Sequence, residues 1–146
     1  MRLTGFSDYA LRTLMYAASS PGRRFTIDEA SRALGVSRAH LNKVVNTLTR
    51  NGYLTGIRGR SGGLMLERSP ETVRIGDVLR VTEPDFALVE CFVTGKQCVL
   101  DNGCKLSGML EEAMASFLAT LDRYTLADIT LSADFLNTLP SQRPAA

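Results

Sequence analysis

Tryptophan is absent from this 146-residue chain, and histidine occurs once, as His40. A catalytic cysteine needs a nearby base, and the one histidine falls in a helix with another use. The chain has no phosphate-binding loop, no dinucleotide fingerprint and no pair of catalytic carboxylates, so no enzymatic activity is expected. No stretch approaches the roughly 20 apolar residues that cross a bilayer. Asp8 and Arg12 interrupt any apolar signal region near the start, so a cytoplasmic protein without membrane contact is expected. Internal repeats and low-complexity tracts are missing too; only residues 140–146 read as a tail.

What is present is ordinary for a globular protein with a real core: 45% hydrophobic residues and 22% charged ones. The formal net charge of +2 conceals an asymmetry. Residues 1–68 carry 11 Lys/Arg against 4 Asp/Glu, a balance of +7, whereas residues 69–146 carry 6 against 11, a balance of −5. A basic first half points to a polyanionic partner, and nucleic acid is the usual one.

Leu11, Leu14, Met15 and Ala18 recur at helical spacing, so a first helix is predicted that stops near Pro21 and Gly22. Thr26 and Glu29 have the T-x-x-E form of a capping box. There, hydroxyl and carboxylate satisfy free N–H groups at a helix start. Ile27, Ala30 and Leu34 give that second helix its apolar face, and Gly35 is suited to end it. Ser37 can cap a third helix with Leu41, Val44, Val45 and Leu48 on its stripe, closed by Asn51 and Gly52. Only Gly35, Val36 and Ser37 separate the two, which is a helix-turn-helix.

Residues 53–58 then read as a strand, residues 59–63 as a glycine-rich basic turn and Leu64, Met65 and Leu66 as a returning strand. A basic hairpin directly after a recognition helix is the wing of a winged helix. Arg58 and Arg60 can meet backbone or minor groove, and Gly62 permits close approach. Ser37, Arg38, His40, Lys43 and Asn46 lie away from the apolar stripe or at the helix N-terminus, and are the candidate DNA contacts on the third helix. Arg12 is a further candidate for phosphate. Tyr9 and Tyr53 read as packing residues.

A short fourth helix is predicted over Ile75–Thr82, with Val78 and Leu79 inward. Leu110, Ala113, Met114, Phe117, Leu118 and Leu121 then mark a helix over 107–122, about 24 Å long. Its broad apolar face fits a dimer interface, although packing on the first helix would cover part of it. Residues 125–129 form a short final helix. The chain thus divides into a mainly α winged-helix domain over 1–82, a cysteine-containing loop over 83–106, a dimerisation helix and C-terminal segment over 107–139, and the tail.

All three cysteines fall in 14 residues as C-x6-C-x5-C: Cys91, Cys98 and Cys104, with Gly95 and Gly103 beside the last two. Soft thiolates select zinc, copper(I) or iron–sulfur clusters. Structural zinc usually shows paired C-x-x-C spacing, which is missing, and the longer gaps suit a larger object such as a cluster. Three unrelated core cysteines, or one disulfide and a free thiol, are the alternatives; a reducing compartment disfavours the disulfide.

The segments FSDYALRTLMYAA, SRAHLNKVVNTLTRNGYL, RGRSGGLML and IGDVLRVTE, followed by three closely spaced cysteines, resemble the Rrf2 family over residues 1 to about 130. The resemblance implies a dimeric winged-helix transcription regulator, in many members an iron–sulfur sensor. It is strongest to the family's nitric-oxide-sensitive repressors. One branch carries a cluster-ligating histidine three residues after its last cysteine, where this chain has Ser107. The nitric-oxide-sensitive branch implies a [4Fe–4S] cluster on three cysteines, with an aspartate at the start of the first helix as fourth ligand, matching Asp8. Glu83, Asp85, Glu90 and Asp101 are the rival ligands. The alternative is a redox or iron-supply sensor with a [2Fe–2S] cluster or none. The wing departs from the family pattern at Ser61 and Met65.

Overall fold

Thr4 sets the start of the first helix: its hydroxyl accepts from the Ser7 N–H, and α1 runs Gly5–Ala18. This computed structural model describes residues 2–93, 98–100 and 103–138; Gly95, Asp101 and the tail at 140–146 lie outside them. The capping box at Thr26 and Glu29 opens α2 (Ile27–Leu34), and Gly35, at φ 65°, ends it in the left-handed conformation. Ser37 caps α3 (Arg38–Arg50), which buries Leu41, Val44, Val45 and Leu48.

The hairpin follows as β1 (Leu54–Ile57) and β2 (Gly63–Leu66), antiparallel with Leu54 opposite Leu66 and Ile57 opposite Gly63. Phe25 adds a third short piece through two backbone hydrogen bonds with Leu64, 2.9 and 2.8 Å long. A 3₁₀ turn at Pro70–Thr72 leads to α4 (Ile75–Thr82), and a second at Glu90–Phe92 precedes the long α5 (Lys105–Leu121). Two short helices finish the chain, α6 (Leu126–Ile129) and α7 (Ala133–Thr138). Among the described residues, no helix is long and apolar enough to cross a membrane.

α1 is the central element, packed on α2, α3, α4, α6 and β2. Its buried line is Ser7, Ala10, Leu14 and Ala17, while Leu11 and Met15 are only partly covered. Small residues on that line let the neighbouring helices approach. The buried hydroxyls are satisfied: Ser7 Oγ donates to Thr82 Oγ1 at 2.8 Å, and Thr82 donates to the Val78 carbonyl. The core also takes Leu126 from α6, which is fully buried with the winged-helix residues.

Gly76 governs how α5 is attached. A Cβ there would lie 1.9 Å from Asp122 Oδ1, so only glycine admits that carboxylate. Arg80 grips Asp122 with two hydrogen bonds of 2.6 and 2.7 Å, and Arg74 donates to the Asp122 carbonyl at 2.6 Å. The Arg80 fork holds the Asp122 carboxyl below the usual carboxylate range. The C-terminal end of α5 is thereby fixed to both ends of α4.

Candidate nucleic-acid interface and cysteine site

At about 100° per residue, the exposed face of α3 centres on Asn46, opposite the buried leucines and valines. Lys43 and Asn46 stand on it, exposed, as do Asn42 and Arg50, which helical periodicity places on the same face although they are not among the candidates above. Arg38 is exposed at the helix start, 3.2 Å from Asp28, and Ser37 is half-buried as the cap. His40 falls on the flank towards α1. Its ring Nδ1 lies 2.9 Å from Ser37 Oγ, and its ring centroid is 5.9 Å from that of Tyr9. His40 is therefore exposed yet engaged with α1.

The wing presents Arg58 and Arg60 to solvent at its tip. Gly62 has a structural reason to be glycine: a Cβ would lie 2.4 Å from the Ile57 carbonyl oxygen. Its N–H donates to Gly59 at 2.9 Å, closing the turn. Arg60 makes no ion pair among the described residues, so its charge is available to a polyanion. Arg60→Ala is expected to weaken binding alike on specific and unrelated duplexes and to reduce the slope of log affinity against log salt by about 1. Anisotropy titrations at several salt concentrations check this; an unchanged slope removes Arg60 from the contact surface.

The cysteine segment begins where α4 meets α1. Glu83, just past α4, accepts from the Thr4 N–H at 2.8 Å and from the Thr4 hydroxyl at 3.1 Å. A cleft of about 260 Å³ lies beside this latch, lined by Leu3, Phe86, Leu88, Met114 and Phe117 among others. Cys91 sits in the second 3₁₀ turn, Cys98 beyond it, and Cys104 at the N-cap of α5. All three thiols are free and half-buried. The Ser107 hydroxyl donates to the Cys104 carbonyl at 3.1 Å. Among the described residues, no three His, Cys, Asp or Glu side chains converge as a metal site. Asp8 is gripped by Arg12, with contacts of 2.9 and 3.1 Å. Arg12, the phosphate candidate, is thus paired with the ligand candidate. Of the rival ligands, Glu83 is held by Thr4, and Asp85 accepts from the Ala87 N–H at 2.9 Å.

α5 buries none of its 17 residues. Leu110, Met114, Phe117, Leu118 and Leu121 are half-covered, while Leu106, Met109 and Ala113 form the open edge of the apolar sector. Leu106 is 57% exposed and Met109 64%. The long apolar face read from the sequence is thus half-covered within one chain and open along the edge marked by Leu106, Met109 and Ala113.

The fold has known counterparts. It is similar to IscR of T. potens (TM-score 0.70, 22% identity, 88% of this chain and 85% of that one). It is also similar to CymR of B. subtilis, described as the global cysteine regulator (0.67, 24%, 88% and 95%). The oxidized form of CymR from Staphylococcus aureus is a third likeness (0.67, 20%, 86% and 93%). The family model Rrf2, described as an iron-dependent transcriptional regulator, matches residues 3–131. Because that match runs through the helix-turn-helix, the wing and all three cysteines, the chain belongs to the Rrf2 family of transcriptional regulators and is not an enzyme.

Proposed function

We propose that this chain is a cytoplasmic, NsrR-type repressor: a homodimer that binds operator DNA while it carries a [4Fe–4S] cluster and releases the DNA when nitric oxide attacks that cluster. The observation that carries the reading is the placing of three free, half-buried thiols in the segment that joins α4 to α5, latched at its start to the first turn of the winged helix through Glu83 and Thr4. Rrf2 regulators bind DNA, typically as dimers. A dimer with one recognition helix per chain fits a two-fold DNA site with half-sites about one turn, roughly 10–11 base pairs, apart.

The donor set fits the cofactor. Cys91, Cys98 and Cys104 are thiols with no disulfide between them, and soft sulfur donors are what such clusters take. When bound, the cluster supplies iron that reacts with nitric oxide. Three thiolates leave a fourth coordination position, which we assign to Asp8 of the second copy of the chain. A carboxylate is a hard donor beside three soft ones, which makes it the exchangeable corner. Arg12 does not prevent this. The pair is exposed, 51% and 45% at its two side chains, and such i,i+4 pairs contribute about 0.3–0.5 kcal/mol. A ligand bond outweighs that.

Absorbance and Mössbauer spectra of anaerobically purified protein test the cofactor assignment: a four-iron signature supports it, and iron-free protein contradicts it. For the fourth ligand, Asp8→Ala is expected to alter the cluster spectrum and its response to nitric oxide, while the same change at Glu83, Asp85, Glu90 or Asp101 leaves both intact. The reverse pattern reassigns the ligand without touching the repressor reading. A second reading, a redox or iron-supply sensor with a [2Fe–2S] cluster or none, is favoured by the accessibility of the free thiols and by the likeness to a CymR described in an oxidized form. The same spectra separate the two.

A further inference from the structure

The arginines of the N-terminal half divide by partner. Arg12 is paired with Asp8, Arg23 with Glu29 and Arg38 with Asp28. Arg24, immediately after Arg23, has no carboxylate partner among the described residues. Its Nη1 donates instead to the Ser61 carbonyl oxygen at 2.9 Å, at the turn of the wing. A neutral carbonyl fixes the guanidinium without cancelling its charge.

The backbone explains why Arg24 is there. The pairing of Phe25 with Leu64 lays the chain before α2 along the outer side of β2. Gly63 makes room: a Cβ there would stand 3.4 Å from Arg24 Cβ and 2.9 Å from the Phe25 carbonyl oxygen. Arg24 is exposed, and its Nε and Nη2 have no partner among the described residues. Arg58 and Arg60 likewise make no ion pair among them. The hairpin turn therefore gathers three uncompensated guanidiniums, one of them contributed from outside the hairpin.

We propose that Arg24 is a DNA-backbone contact: one edge of its guanidinium braces the wing turn at Ser61, and the other takes a phosphate beside the groove that the wing enters. The planar fork suits both tasks, since it offers donors along more than one edge and binds phosphate bidentately. This inference rests on the DNA-binding reading of the fold and not on the cluster.

The test compares wild-type, Arg24→Ala and Arg24→Lys dimers on a duplex recovered by selection from random-sequence DNA and on an unrelated duplex, between about 50 and 200 mM salt. Arg24→Ala is expected to lose about tenfold in affinity on both duplexes, as for a hydrogen bond to a charged group, and to lower the salt slope by about 1. Arg24→Lys keeps the slope and recovers part of the affinity. Thermal melts confirm that both variants fold. An Arg24→Ala slope equal to wild type overturns the phosphate contact, even where affinity falls, because bracing alone releases no counterions. A wild-type chain that binds neither duplex is a different failure, that of the DNA-binding reading itself.

Discussion

Replacing any one of Cys91, Cys98 or Cys104 with alanine is expected to abolish stable cluster binding and to lower specific DNA affinity by roughly 5–150-fold, the usual range of coupling between sites. The dimer itself should remain folded. The buried core runs from Ala10 to Leu79 and is completed by Leu126; among the described residues, none of the cysteine segment belongs to it. Removing one half-buried sulfur therefore leaves the packing of α1, α3 and α4 intact. What it removes is the tie across the segment between α4 and α5, which enters at Glu83 beside Thr4 and leaves through Cys104 at the start of α5. Iron and sulfide analysis, circular dichroism and DNA binding on the same samples check this. A variant that keeps its full iron content shows that its cysteine is not a ligand. A variant that unfolds shows that the segment supports the core after all.

Met109→Glu, or Leu106→Glu, is expected to convert the dimer to a monomer and to cost DNA binding more than the loss of any one cysteine does. Both side chains are more than half exposed on the single chain, so a charge there does not disturb the fold of one subunit. At a dimer interface the same carboxylate is buried without a partner, which costs several kcal/mol. Once the subunits separate, each recognition helix binds its half-site alone, and the avidity of two linked sites, about 10²–10⁴-fold, is lost. Ala119, exposed on the other side of α5, provides the control: Ala119→Glu should remain dimeric. Sedimentation velocity beside DNA titration decides the matter, and a Met109→Glu protein that stays dimeric places the interface elsewhere.

The parts of the fold that local chemistry determines were legible in the sequence. The capping box at Thr26 and Glu29, the glycine that ends α2, the stripe of α3 and the hairpin all depend on residues within a few positions of one another, and all are present. Long-range packing was not legible. Leu11 and Met15 have the hydrophobicity of a buried stripe, but the close approach of several elements turns Ala10 and Ala17 inward instead. Phe25 joins the wing by pairing with Leu64, 39 residues on, and no motif announces it. Leu126 is a core residue contributed by a four-residue helix, and α7 had no periodicity to reveal it.

The site was legible to a similar degree. Exposure of Lys43, Asn46, Arg58 and Arg60 follows from periodicity and turn chemistry. The engagement of His40 by Tyr9 depends on how α1 crosses α3, which residue type alone does not encode. The grip of Arg12 on Asp8 is different: the two stand four apart on one helix, a spacing that favours such a pair. The cysteines were recognisable by their crowding within 14 residues, a feature of spacing that needs no tertiary structure.

The most direct test of the central claim is a DNA-binding titration of the anaerobic, cluster-loaded dimer with and without a few equivalents of nitric oxide, followed by absorbance in the same cuvette. The cluster spectrum is expected to bleach and operator affinity to fall together with it, while binding to unrelated DNA changes little. Operator binding that persists unchanged after the spectrum has gone would contradict that claim.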